Sequence, residues 1–223
     1  MQLSIISPTI FESASVINYL EQNFSLLSGI YKKNDLSISA SVCGVGLVNT
    51  AIHTTKLMMK DTDLIILMGL GGAFNKNIKL GSVVNITEET FGDLGAEEQD
   101  GSLHSTFDLK LMNANQYPFS DGKIINHGAK EHTFLPHATS ISVNKVSGSQ
   151  SSIDLLQMKY PVDIENMEGA AFFQVCKLYR RKFLELRAVS NYVEPRNRDA
   201  WEIELALKNL SNVVISIIQG LEN

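Results

Sequence analysis

Two glutamates, an arginine and an asparagine carry the chemistry for which this chain can be read. Glu168 stands between Met167 and the small-residue run Gly169-Ala170-Ala171, where one apolar stretch gives way to another. A carboxylate there can accept hydrogen bonds from two adjacent sugar hydroxyls while the thioether lies against the ring. An acidic residue is also ordinary at a helix start, because the helix dipole favours it. Glu12 has the same double character. As Thr9-x-x-Glu12 it fits a capping box, and at the mouth of a sheet it suits a general base acting on water. Asn191 closes the apolar run FLELRAVS and by default is a turn residue. Arg187 lies inside that run, and a cation buried there needs a carboxylate partner.

The elements that position these residues follow from hydrophobic spacing. The stretch from Asp163 to Asn191 reads as a strand, a helix and a second strand in one βαβ unit, with its polar residues at the chain reversals: Glu165, Asn166 and Glu168 at one, Ser190 and Asn191 at the other. In open parallel sheets ligands bind outside the carboxyl ends of strands, so chemistry is expected there. Leu3–Ser7 is a buried first strand; Ile10, Ala14, Ile17, Leu20 and Phe24 recur at helical spacing. Leu36 to Val42 alternates as a strand, Gly44 and Gly46 turn into a helix with Leu47, Ala51, Thr55 and Met58, and Asp63 to Met68 is a central strand. Strands are further expected at Ser82–Phe91 and Thr139–Val146, with helices at Ser151–Met158 and Asp199–Leu221. Between them Gly92–Ser105 reads as an acidic loop, Leu109–Ser140 as a short helix and a loop, and Pro195–Arg198 as a polar loop. Strands alternating with helices predict an α/β layered fold around a mostly parallel sheet.

Composition narrows the function classes. A chain of 223 residues suits one domain over 1–223, and 44% hydrophobic with 19% charged residues is an ordinary globule. A formal charge of -5 argues against a nucleic-acid groove. Cys43 and Cys176, far apart in apolar contexts, read as reduced thiols. No basic-then-apolar leader and no spanning run is seen, so a cytoplasmic protein without membrane contact is expected. Gly69-Leu70-Gly71-Gly72-Ala73-Phe74 is not a dinucleotide fingerprint: Phe74 stands at the third glycine position and a strand follows. A glycine loop under a ribose, holding Leu70 and Gly71 against substrate, is the better reading. His127, His132 and His137 are five apart without acidic partners, so no metal is expected.

The stretches LSIISPTIFES, GLGGAF, VSGS, MEGAA and RAVSN fall in the order and spacing of the nucleoside phosphorylase and nucleosidase family. The chain resembles that family over almost its whole length, and TEETFGDLGAE and SNYVEPRNRDAW resemble its futalosine hydrolase branch. The resemblance implies a single three-layer α/β domain, a central mixed, mostly parallel sheet flanked by helices, homo-oligomers, no cofactor, and a step in menaquinone synthesis. It implies that Glu12 activates the attacking water, that Glu168 holds the ribose beside Met167, and that Arg187 stands near both carboxylates. It further implies that the backbone of Ser151 and Ser152 flanks the purine. Two departures are informative. Asn191 replaces the aspartate of the best-known nucleosidases, and an amide can donate to O6 while accepting from N7–H, which favours hypoxanthine over adenine. Leu70 replaces a small hydroxyl residue. All five arginines lie beyond residue 179, and Ser7-Pro8-Thr9 offers no cation, so water is favoured over phosphate as nucleophile. Arg196 and Arg198 are candidates for the carboxylate that futalosine carries. The rival readings are a phosphorylase of inosine-type nucleosides, an adenine-releasing nucleosidase acting on methylthioadenosine or aminofutalosine, and a non-catalytic nucleoside-binding protein.

Overall fold

The computed structural model describes residues 1–131 and 134–222. In chain order the elements are β1 (Gln2–Ser7), α1 (Ile10–Asn23), β2 (Ser25–Leu27), β3 (Ile30–Lys33), β4 (Leu36–Val42), α2 (Leu47–Leu57), β5 (Leu64–Ala73), β6 (Val83–Phe91), β7 (Gly95–Glu97), β8 (Leu103–Ser105), β9 (Ile124–Ile125), β10 (His137–Ser142), α3 (Gln150–Lys159), β11 (Ile164–Asn166), α4 (Gly169–Leu178), β12 (Phe183–Tyr192) and α5 (Ile203–Leu221). The main sheet runs β11-β10-β6-β12-β5-β1-β4-β3-β2. Strands β12, β5, β1 and β4 are parallel to one another, and the apolar runs of β1 and β5 suit strands covered on both faces. β11 also pairs antiparallel with β5, so β5, β12, β6, β10 and β11 close into a ring.

Side chains alternate across each strand and feed two cores. Ile66 and Met68, with Leu184 and Leu186, pack under Val16 and Leu20 of α1 and Leu210, Val214 and Ile218 of α5. Ile65, Leu67 and Phe183 face the other way, against Leu57 of α2 and Phe172, Phe173 and Cys176 of α4. Each fully buried aliphatic or aromatic side chain contributes about 1.5–3 kcal/mol relative to exposure. The result is a central mixed sheet with helices on both faces.

Several expectations are corrected. β11 and β12 are not parallel neighbours: β11 runs antiparallel to β5 while β12 runs parallel to it, so the β11–α4–β12 segment is no βαβ crossover. β5 continues through Gly69, Gly71 and Gly72, so these glycines lie inside a strand and form no loop. The acidic segment after β6 folds into the β7–β8 hairpin, and β2–β3 form a hairpin where no element was expected. On α1 the buried face is Glu12, Ser13, Val16 and Leu20, while Ile10 is exposed. His127 and His137 are exposed; His132 lies outside the described residues.

Candidate active site

The carboxyl ends of β1 and β5, the starts of α1, α2, α4 and α5, and the end of β12 converge on a cavity of about 480 Å³, within the usual range for small-molecule sites. Its wall includes Glu12, Leu70, Gly71, Met167, Glu168, Asn191 and Arg196. Of the residues expected at a site, Arg187, Ser151, Ser152 and Arg198 are not part of this wall; Arg187 is fully buried and reaches the site through Glu168. Ser151 and Ser152 lie in the first turn of α3, which Ser149 caps; Val146 and Ser147, a few residues earlier, line the cavity in their place.

Glu12 is only 8% exposed, and both of its oxygens are engaged. Oε2 accepts from the Thr9 amide at 2.9 Å and the Thr9 hydroxyl at 2.6 Å, and Oε1 accepts from the Leu70 amide at 3.0 Å. The capping box is therefore real, and the same carboxylate lines the cavity. Burial raises its pKa above the ordinary carboxylate value, against the hydrogen bonds from Thr9 and Leu70 and the charge of Arg187, which lower it.

Glu168 caps α4. Its Oε1 accepts from the Gly46 amide at 2.9 Å and its Oε2 from Arg187 Nη1 at 3.0 Å. Arg187 is fully buried. Its Nε donates to Glu185 Oε1 at 2.7 Å, its Nη1 also reaches the Leu70 carbonyl at 3.1 Å, and its Nη2 donates to Asn166 Oδ1 at 3.0 Å. Burial alone would lower its pKa, but Glu185 and Glu168 more than offset that and raise it. The glycines of β5 make room for this network. A Cβ on Gly69 would lie 2.6 Å from Arg187 Nη1, and one on Gly72 would lie 3.1 Å from Asn191 Nδ2.

Asn191 owes its direction to an irregularity in β12. Val189 pairs with Gly71 and Asn191 with Gly72, so Ser190 is the extra residue of a bulge, a device that re-aims side chains beside active sites. Asn191 Oδ1 accepts from Ser190 Oγ at 2.8 Å and Nδ2 donates to the Tyr192 carbonyl at 3.0 Å. One N–H and one acceptor lone pair are left over.

Several wall residues had no role assigned from the sequence. Glu165 accepts from the Ser147 hydroxyl at 2.7 Å, and burial raises its pKa. Trp201 lines the cavity with Arg196 lying 5.4 Å over its ring, and Arg198 stacks on the same ring at 5.7 Å. Phe11 lines the mouth and is 77% exposed. A lone tryptophan after two arginines was the one available signal for this corner.

The model of the family described as the Phosphorylase superfamily matches residues 9–219. Among curated relatives, the futalosine hydrolase of Streptomyces coelicolor is 35% identical over 162 residues, covering 72% of this chain and 67% of that one. A 5'-methylthioadenosine/S-adenosylhomocysteine nucleosidase of Maridesulfovibrio salexigens is 26% identical over 99% of this chain and 100% of its own. Among solved structures, the native futalosine hydrolase of Helicobacter pylori superposes with a TM-score of 0.77 at 15% identity, over 99% of this chain and 98% of that one, a likeness of fold. With its family model matched almost end to end and a futalosine hydrolase above 30% identity, the chain belongs to the phosphorylase superfamily and, within it, to the futalosine hydrolase family.

Proposed function

We propose that this chain cleaves the N-glycosidic bond of futalosine with water and releases hypoxanthine. The observation that carries this reading is the charge on the cavity wall. Among the described residues it holds four carboxylates, Glu12, Glu165, Glu168 and Glu194, and one cation, the exposed Arg196. Arg187 is already spent on Glu185, Glu168, Asn166 and the Leu70 carbonyl. A phosphate dianion among four carboxylates without a bidentate partner is disfavoured, whereas a neutral water is not.

In the reaction Glu12 takes a proton from water as its oxygen bonds to C1′ and the C1′–N9 pair leaves with the purine. Glu168, fixed by Arg187 and the Gly46 amide, holds the ribose hydroxyls as positive charge grows on the sugar. The free N–H of Asn191 donates to O6; as the base leaves with the bond pair, N7 takes up a proton from solvent in the cavity and the free lone pair of Asn191 accepts from the resulting N7–H, which stabilises departing hypoxanthine. Met167 packs against the sugar, Leu70 and Gly71 line it from below, and no metal takes part. Mixing the protein with futalosine, inosine and methylthioadenosine, with and without phosphate, tests this directly. Hypoxanthine released from futalosine at a rate independent of phosphate is the expected result; phosphate dependence, or adenine as the favoured base, overturns it.

The Arg196–Trp201 corner supports a site for the carboxylate and aromatic ring of futalosine. Arg196→Ala is expected to raise KM for futalosine roughly tenfold or more, as loss of a charge-assisted hydrogen bond does, and to leave KM for inosine within about threefold. Arg198→Ala should act more weakly, because Arg198 is not on the wall. Equal effects on both substrates would remove this assignment.

The same reading extends to assembly. Phe11, Val45, Val48 and Ile52 are exposed apolar residues of α1 and of the segment through α2, and Phe11 and Val45 border the cavity. A homo-oligomer that covers this face is proposed, with light scattering on the purified protein as its test; a strictly monomeric active enzyme would exclude it. No helix among the described residues is long and apolar enough to cross a membrane, and a cytoplasmic location goes with the proposed small-molecule substrate.

A further inference from the structure

Behind the cavity, beneath the first turn of α4, lie two carboxyl groups with no part in the chemistry above. Glu89 of β6 and Glu185 of β12 are both fully buried. Both crowd the Cα of Gly169: a Cβ there would lie 2.6 Å from Glu185 Oε2 and against Glu89 Oε1, so any side chain at this position would displace the two carboxyls. The donors around them are unevenly shared. Glu89 Oε1 accepts from Asn166 Nδ2 at 2.6 Å and Glu89 Oε2 from Ser142 Oγ at 2.9 Å. Glu185 Oε1 accepts from Arg187 Nε at 2.7 Å, while Glu185 Oε2 has no partner among the described residues.

We infer that Glu185 and Glu89 share one proton and that this pair is a positioning device holding Arg187 on Glu168. Two adjacent carboxylates in a dry site cannot both ionise beside one guanidinium. One proton on the pair leaves a single negative charge there, so that Arg187 is balanced between the pair and Glu168. Burial and the charge of Glu185 hold Glu89 well above its ordinary value of 4.5, and burial raises Glu185 although Arg187 opposes it; the two titrate as a pair. The charged and titratable groups facing the pair are Arg187 from β12, Glu168 at the start of α4 and the Cys176 thiol from α4, whose own pKa is raised by burial and then by Glu185. β10 and β11 present only the neutral Ser142 and Asn166.

Only the catalytic consequence rests on the proposed ribose role of Glu168; the proton itself is read without any substrate. Glu185→Gln puts an amide in place of one carboxyl of the pair, which removes the need for the shared proton, and keeps an acceptor for Arg187 Nε. A carboxyl raised on folding contributes stability that is present below 4.5 and lost as pH rises through its folded value. The Tm advantage of Glu185→Gln over the parent is therefore expected to be smallest near pH 4.5 and to grow toward pH 8. In infrared spectra at pH 7 the variant loses the intensity of one protonated carboxyl. Its kcat/KM should stay within about threefold of the parent, whereas Glu185→Leu, which strands Arg187, should lose tenfold or more, chiefly through KM. A Tm difference that does not vary with pH, or an unchanged acid band, overturns the shared proton even if hydrolysis proceeds as proposed. A Gln variant as inactive as the Leu variant overturns the positioning role, and should Glu185→Leu fail to fold, comparing the Gln variant with the parent still decides. If futalosine is not cleaved at all while the band and Tm behave as stated, the pair stands and the assigned reaction falls.

Discussion

Glu12→Gln is expected to lower kcat for hypoxanthine release about a thousandfold while KM stays within a few-fold. The amide cannot take a proton from water, and a positioned general base contributes roughly 10²–10⁴. The substitution also disturbs the capping box. Oε2 now accepts from both the amide and the hydroxyl of Thr9, so an NH₂ group there would face the Thr9 N–H donor head on. Loss of such a cap costs about 1 kcal/mol, which a thermal melt will register as a modest fall without unfolding the protein. The parent enzyme supplies a companion test. Burial holds the Glu12 carboxyl above its ordinary 4.5, and the base works only when ionised. kcat/KM should therefore fall as pH drops through a value above 4.5, and that acid limb should be absent from the residual rate of the Gln variant. A variant that turns over at the parental rate would take the base role away from Glu12 and leave only its cap.

The frame that carries these residues was legible where local sequence decides the outcome. The apolar runs at Leu3 and Leu64 announce strands covered on both faces, because burial on both sides removes the need for alternation. Thr9 and Glu12 announce the helix start, and Arg187 in an apolar strand announces a carboxylate, which is met by Glu185 and Glu168. Strand direction was not legible. Nothing in the β6 residues records that it lies antiparallel to β12, since pairing sense is set by how the chain returns. The glycines after Met68 read as a turn because thin residues usually mark one. In β5 they are thin so that Arg187 and Asn191, more than a hundred positions later, can approach. The offset between Ser151–Ser152 and the Val146–Ser147 that line the cavity has the same origin: the path of the loop before α3 depends on Glu165, which holds Ser147 from another strand. The buried pair of Glu89 and Glu185 was invisible for a simpler reason. Each looks alone like an ordinary charge in its strand, and only the closing of β6 against β12 brings them under Gly169.

Asn191→Asp should reverse the choice of base, reducing hypoxanthine release from futalosine by roughly a thousandfold and improving adenine release from an adenine-bearing analogue such as aminofutalosine. A site built to donate to an oxygen rejects the mismatched partner by large factors, because a buried polar atom is left unpaired. The fixed neighbours of the side chain sharpen this expectation. Ser190 Oγ donates to one end of the amide and the Tyr192 carbonyl accepts from the other at 3.0 Å. An aspartate would set an oxygen against that carbonyl, and the cheapest relief is to hold a proton on the oxygen facing Tyr192. Either way the face turned toward the base presents acceptors alone: protonated, the acid spends its only hydrogen on Tyr192, and ionised, it has none. Neither form can donate to O6, and both can accept from a 6-amino group and from N7–H. The loss on the 6-oxopurine should therefore persist at every pH at which the variant is folded. Competition between futalosine and its adenine analogue in one tube measures the ratio directly. A variant that still prefers hypoxanthine would mean that the amide of Asn191 does not face the base, and that specificity is set elsewhere on the cavity wall.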